Sequence, residues 1–344
     1  MSDEPGSAGP GDAESERLLR LLGGKWVAAA VSAAATLRIP DALAEGPLDL
    51  ADLAERIDAD PAALERLLRV LVGEGVLRED AGGAYALTPL GQQLRRDRLG
   101  ELARMVGAPF GWDPWSALAD SVRTGASAFH EHHGRSLFDY LDHHADEARL
   151  YHAAIESFTR HEAVAVAQAF DFSQARRVAD VGGGRGALLV EILTRWPHLE
   201  GVLLERPPAV EEARKVLAEA GLERRCEARV GDFFEAVPAD ADVCILMHIV
   251  HSWDDATATA LLRRCGDAVG PDGTVLVVEG VVAPMAGRDL TNLLDLEMLV
   301  LCGPGQERRK PELRRLFSAA GLQLVSVEPL PGRSRLFIAR PRRS

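Results

Sequence analysis

The chain has 344 residues, of which 47% are hydrophobic and 26% charged, with a formal net charge of −13 and a pI near 5.3. That length suits two compact domains, and the composition is that of a soluble globular protein rather than a disordered one. The acidic balance argues against a general nucleic-acid binder, which needs a basic face to displace counterions from phosphate; the basic Arg340, Arg342 and Arg343 read as a solvated terminus. Cys226, Cys244, Cys265 and Cys302 lack C-x-x-C spacing. No leader pattern and no apolar run of about 18 residues stands out, so a reduced, unanchored, cytoplasmic protein is expected.

Residues 1–16 are rich in Gly, Pro, Ser, Asp and Glu and are expected to form a disordered tail. From Leu18 to Ala35 the chain is apolar almost all round, which predicts a helix buried on more than one side, a subunit interface being one candidate cover. Asp49 opens a short helix. Asp60-Pro61 then supplies an N-cap and a first-turn proline ahead of the stripe Leu64, Leu67, Leu68 and Leu71. Ala81-Gly82-Gly83 between 75–78 and 85–87 marks a hairpin, which completes a winged-helix pattern over 17–100. DNA binding is the obvious use of such a module, but the second helix offers Glu65, Arg66 and Arg69, a face nearly balanced in charge, and a dimerisation scaffold fits better.

Residues 101–170 read as a mainly helical connector. Aromatic residues are only 5% of the chain, so their clustering at Phe110, Trp112 and Trp115 suggests a wall for a flat ligand, with ordinary core packing as the plain alternative. Over 171–344 strands and helices alternate: strands at 177–181, 201–205, 226–230, 243–247 and 273–280, helices at 186–195, 208–220 and 256–269. Repeated β-α units predict an α/β fold with a parallel, doubly wound sheet. A helix at 311–320 and a terminal β-hairpin close the chain.

Ligands of such sheets sit beyond the carboxyl ends of the strands. Gly182, Gly183, Gly184 and Gly186 stand there after the first strand, but their spacing is not the G-x-G-x-x-G fingerprint of a pyrophosphate turn. Asp180 just before them would repel a pyrophosphate and could hold the cationic amino end of an amino-acid-bearing cofactor. Glu205 ends the second strand about 25 residues later, where an acid can bind ribose hydroxyls. Gly231-Asp232-Phe233 follows the third strand; Asp232 can accept from an adenine amino group while Phe233 packs on the ring. Singly, each acid reads equally well as a cap or turn residue. Three in register at successive strand ends point to S-adenosylmethionine.

The set D-V-G-G-G-R-G, strand-end Glu205, G-D-F-F and H-I-V-H-S-W-D-D (residues 248–255) resembles the class I S-adenosylmethionine-dependent O-methyltransferases of plant and bacterial natural-product pathways, and the likeness spans nearly the whole chain. It implies a winged-helix dimerisation domain, a homodimer, no metal, and S-adenosylhomocysteine as product. His251 takes the place of the family's general base, with Glu279 and Glu307 orienting it. Asp295, Met298 and Leu299 fall where the family lines its acceptor pocket, which Phe110, Trp112, Trp115, Phe158 and Met285 would also edge, favouring a planar aromatic or polyketide-like acceptor. Met247 and His248 stand where plant members contact adenine. Ser252 and Glu205-Arg206-Pro207 depart from the common family residues.

The chemistry suits these types: methyl transfer from a sulfonium to oxygen is an in-line displacement, and the acceptor is far better as phenolate than as phenol. A histidine titrating near neutrality takes that proton, and a carboxylate behind it fixes the tautomer and stabilises the imidazolium. Positioning supplies much of the remaining acceleration. The other readings are a carbon or nitrogen methyltransferase, a family member turned to another reaction, a ligand-sensing winged-helix regulator and a nicotinamide dehydrogenase. His130, His132 and His133, with His143 and His144 nearby, lack H-E-x-x-H spacing, so they are expected to edge a loop over the site rather than to hold a metal.

Overall fold

A computed structural model describes residues 10–283 and 289–342; Met285 lies outside the described residues. The chain divides into two compact units, 1–108 and 109–344.

In the first unit the Asp49 carboxylate accepts from Asp52 N at 2.9 Å to cap helix Leu50–Arg56. Asp60 does the same from Ala63 N at 2.8 Å for helix Pro61–Gly73. Strands β1 (Leu77–Glu79) and β2 (Tyr85–Leu87) form the wing, its turn held by Asp80, which accepts from Gly82 N and Ala84 N. Ile39, Leu53, Leu64, Leu68, Leu71, Leu77 and Tyr85 make the core. Two expectations change here. The first helix runs Pro10–Thr36, so residues 10–16 are helical rather than a disordered tail. Proline suits a first turn, and the pairs Glu14–Arg17 and Glu16–Arg20 lie on adjacent turns. On that helix Leu18, Leu19, Leu21, Leu22 and Trp26 are 57–73% exposed within the chain, as they would be where a subunit interface is the cover. Residues Ala13–Thr36 are also long and apolar enough to cross a membrane by length and composition alone, where no such run was expected. Within the unit Glu101 lies among Arg38, Arg96 and Arg104. Burial opposes its ionisation, yet Arg38 and Arg104 hold its carboxyl below the usual range.

The second unit is built on seven strands in the order β5-β4-β3-β6-β7-β9-β8. They are β3 (Arg177–Val181), β4 (Glu200–Glu205), β5 (Cys226–Val230), β6 (Val243–Met247), β7 (Thr274–Gly280), β8 (Leu322–Pro329) and β9 (Ser334–Pro341). The first five run parallel; β9 pairs antiparallel with both β7 and β8. Helices cover both faces, so central strands are buried on both sides, as in β7, where every residue is buried and 275–278 is an unbroken apolar run. The order reverses between β3 and β6, and that switch point opens a crevice at the carboxyl ends of both strands. Helix Ala145–Ala169 packs on helix Ala187–Arg195, which follows the glycine turn.

Candidate active site

The site begins where β3 stops. Gly182, Gly184 and Gly186 take φ of 75°, 54° and 84°, a region open to glycine at little cost. Space excludes side chains as well: a Cβ on Gly183 would stand 2.4 Å from Asp180 Oδ2, and one on Gly182 2.5 Å from Ile249 Cδ1. Asp180 is 1% exposed, and its Oδ2 has no hydrogen-bond partner among the described residues. Burial, then the nearby Glu205 charge, push its carboxyl up to about 7. A buried carboxylate oxygen without a donor, beside a cradle that a Cβ on Gly182 or Gly183 would fill, fits a ligand bringing a cation to that spot.

Glu205 accepts from Gly184 N at 3.1 Å and Arg206 N at 2.8 Å, tying the end of β4 to the turn. Burial raises its carboxyl despite those two amides. Asp180, Gly182, Gly183, Gly184 and Met247 line one cavity with His152, Ile155 and Thr159 of the overlying helix. Burial, then the Arg185 charge, push His152 down to about 4, so the ring is neutral there. Gly231 is held close to Leu204, since an added Cβ would meet Leu204 Cδ1 at 2.8 Å. Asp232 is exposed and accepts from Phe234 N at 2.7 Å. Phe233 lies beside the Gly182 turn.

His251 lies on a short 3₁₀ turn, Val250–Ser252, after β6. Glu279, at the end of β7 and 1% exposed, accepts from Val250 N at 2.7 Å and His251 N at 3.2 Å through Oε1, so it holds the turn that carries the histidine. Its Oε2 is 3.5 Å from His251 Nδ1, and Glu307 Oε1 is 3.1 Å from the same nitrogen. Burial opposes a charge on His251, but Glu279 and then Glu307 outweigh it and raise its pKa. Glu307 shows the converse: burial pushes its carboxyl up, while His251 and Arg333 bring it below the ordinary value. Nδ1–H directed at carboxylates leaves Nε2 to accept a proton.

The residues expected to line an acceptor pocket occupy different settings. Phe110 is buried in an aromatic group with Tyr140, and its carbonyl accepts from His133 Nε2 at 2.9 Å. Trp112, Met298 and Leu299 are half-buried. Trp115 donates its indole N–H to Glu297 Oε2 at 2.9 Å, and burial pushes that carboxyl up to about 7. The Arg333 guanidinium lies 5.0 Å above the Phe158 ring. Asp295 accepts from Glu307 N at 2.9 Å, so this carboxylate braces an active-site acid.

His248 is not among the residues lining the glycine cavity; its ring turns to Glu162, 2.5 Å from Nε2, and towards His251, with ring centroids 5.7 Å apart. One expected placement differs. The histidine group is no loop: His130, His132 and His133 form the last turn of helix Ala128–His133, and His144 stacks on Tyr140 at 3.7 Å. Sequence reasoning missed Glu162, Arg333, His152 and Glu297. Only Glu162 left a trace, as an acid beside the buried Ala163, Val166 and Ala167 on one helix face.

A doubly wound sheet with a cation-seeking glycine turn and a carboxylate-flanked histidine at the same edge defines a class I S-adenosylmethionine-dependent methyltransferase. Residues 115–323 match the O-methyltransferase domain model and 19–97 the O-methyltransferase dimerisation domain. The mitomycin biosynthesis 6-O-methyltransferase of Streptomyces lavendulae is 40% identical over 333 residues, covering 95% of this chain and 94% of that protein. The aclacinomycin 10-hydroxylase RdmB of Streptomyces purpurascens is 37% identical over 92% of this chain and 87% of its own length. The solved structure of the mitomycin 7-O-methyltransferase MmcR superposes with a TM-score of 0.88 at 38% identity, covering 96% of this chain and 98% of that one. The chain belongs to the O-methyltransferase family and carries that family's dimerisation domain.

Proposed function

We propose that Asp180, Gly182–Gly184, Glu205, Gly231, Asp232, Phe233 and Met247 hold S-adenosylmethionine, and that His251 takes the proton from a phenolic or enolic hydroxyl of a planar natural-product acceptor as the methyl group arrives. Glu279 and Glu307 keep Nδ1 protonated, so that Nε2 faces the reaction as the base. The observation that carries this reading is the placing of His251 Nδ1 within 3.1 Å of Glu307 and 3.5 Å of Glu279, on a turn that Glu279 itself holds. The bound cofactor supplies the electrophilic methyl group; the chain binds, orients and removes the proton. Phe110, Trp112, Trp115, Phe158, Met298 and Leu299 contribute apolar surface to the acceptor, with Asp295 acting through Glu307.

The working unit is a homodimer in the cytoplasm, with the exposed apolar residues of helix Pro10–Thr36 covered by the partner. His251→Ala tests the base: single-turnover transfer should fall by at least about 100-fold while S-adenosylhomocysteine still binds. Intact transfer in that variant would remove His251 from the chemistry. The kinship with a protein named as a hydroxylase favours one second reading, a family member turned to another reaction. Product mass separates the two, methylation adding a CH₂ and hydroxylation an oxygen.

A further inference from the structure

A second histidine meets the carboxylate that serves His251. His248 leaves β6 at φ 55°, an uncommon conformation for a residue with a side chain, which persists only where its surroundings over-determine it. Its N–H donates to Val278 O at 2.9 Å. Its Nε2 lies 2.5 Å from Glu162 Oε2, and the other oxygen of Glu162 accepts from Ser334 Oγ at 2.6 Å. A carboxylate there only accepts, so Nε2 carries a proton and Nδ1 can present a lone pair. That Nδ1 is buried without a hydrogen-bond partner among the described residues, 3.9 Å from Glu279 Oε2, which is likewise buried and unpartnered. The same oxygen stands 3.5 Å from His251 Nδ1, which stands 3.1 Å from Glu307 Oε1.

Two imidazole nitrogens and one carboxylate oxygen thus converge: the ligand atoms of His248, His251 and Glu279 all lie within 4.8 Å of one another. In a tetrahedral zinc site with bonds of about 2.0–2.1 Å, neighbouring ligand atoms are roughly 3.3–3.4 Å apart. The separations of 3.5 and 3.9 Å from Glu279 Oε2 to the two imidazole nitrogens lie just above that spacing, within reach of small side-chain shifts. Glu162 behind His248 is the carboxylate–histidine arrangement that fixes a metal ligand's tautomer and raises its basicity.

We propose that His248, His251 and Glu279 form a binding site for zinc or a similar borderline divalent cation, and that the cation inhibits methyl transfer by capturing His251. The inhibitory half rests on the base role given to His251 above. A neutral imidazole has one N–H and one lone pair. As base, His251 needs Nδ1–H towards the carboxylates and a lone pair on Nε2. Zinc bonding to Nδ1 displaces that proton to Nε2, and Nε2 can then no longer accept one. Arg333, 3.5 Å from the same Glu307 oxygen, opposes the cation and keeps the site reversible. The metal has no part in the transfer itself.

The test uses the full-length protein and zinc ion, with affinity read by competition against a chromophoric chelator and geometry by the visible bands of substituted cobalt. One tight zinc per chain is expected. His248→Ala should weaken it more than tenfold. Glu162→Gln, which keeps the shape and a hydrogen-bonding group, should weaken it by about 10–100-fold; thermal melts establish that both variants fold. The exposed His132 and His143 are the competing location, and their joint replacement by alanine should leave the tight site intact. Loss of affinity in that control without loss in the His248 and Glu162 variants overturns the proposal, as does the lack of stoichiometric binding. Zinc that fills the site should stop single-turnover transfer, and a chelator should restore it. Filling with transfer intact would instead overturn the base role of His251.

Discussion

Asp180→Asn separates what the glycine turn costs the free protein from what it gives the bound one. The carboxyl ionises near 3.8 in an ordinary setting and at about 7 in the fold, chiefly because it is buried. The folded state therefore holds its proton more tightly than the unfolded state. Stability of the ligand-free protein should fall as pH rises between those two values and then level off. A difference of about three pH units at 1.36 kcal/mol each bounds the loss at about 4 kcal/mol. Asparagine has the same shape and no charge, so the ligand-free variant should exceed the parent at about pH 8 by up to that amount and show little advantage near pH 4. Ligand binding should move the other way. A charge-assisted hydrogen bond contributes about 1.5–3 kcal/mol, so S-adenosylhomocysteine should bind the variant about 10–150-fold more weakly at pH 8. Affinity of the parent should strengthen as pH rises through 7, while that of the variant stays nearly flat. Denaturant titrations of the free protein and calorimetric binding across pH measure both. A variant less stable than the parent at pH 8 that binds the ligand equally well would refute the reasoning.

Further outcomes follow from the same geometry. Glu307→Gln removes one of the two carboxylates that raise His251, so the acidic limb of the kcat/KM profile should move to lower pH and kcat should drop by about 100-fold or more; an unmoved limb would contradict the pairing. Gly183→Ala drives a Cβ to within 2.4 Å of the buried Asp180 oxygen and should abolish the thermal shift given by S-adenosylhomocysteine, with normal stabilisation as the contrary result. Trp115→Phe deletes the 2.9 Å bond to Glu297 and should raise acceptor KM about 2–10-fold with cofactor affinity unchanged. A parallel loss of both would make Trp115 a structural residue only.

Legibility followed physical range. The caps Asp49 and Asp60 act within three residues, and both appear where the sequence places them. The strand and helix boundaries of the α/β unit were readable for the same reason, since period and punctuation are local signals. The tail misled because composition reports what a stretch can bury, whereas residues 10–16 need only continue a helix already begun by the alanine-rich run after them. The partners of Asp295 and His248, Glu307 N and Glu162, were not readable, because those contacts join separate segments.

By itself the sequence determined the donor end of this protein. The glycines after Asp180 and the acids at the ends of β4 and β5 each report a strand end, and strand ends of a parallel sheet share one edge by topology. What only the tertiary structure decided was the company each group keeps: the buried, unpartnered oxygen of Asp180, the two carboxylates on His251, and the turn of His248 away from the glycine cavity towards Glu162. Those depend on side chains meeting across long sequence separations, where burial and charge act through space and leave no period or spacing in the chain.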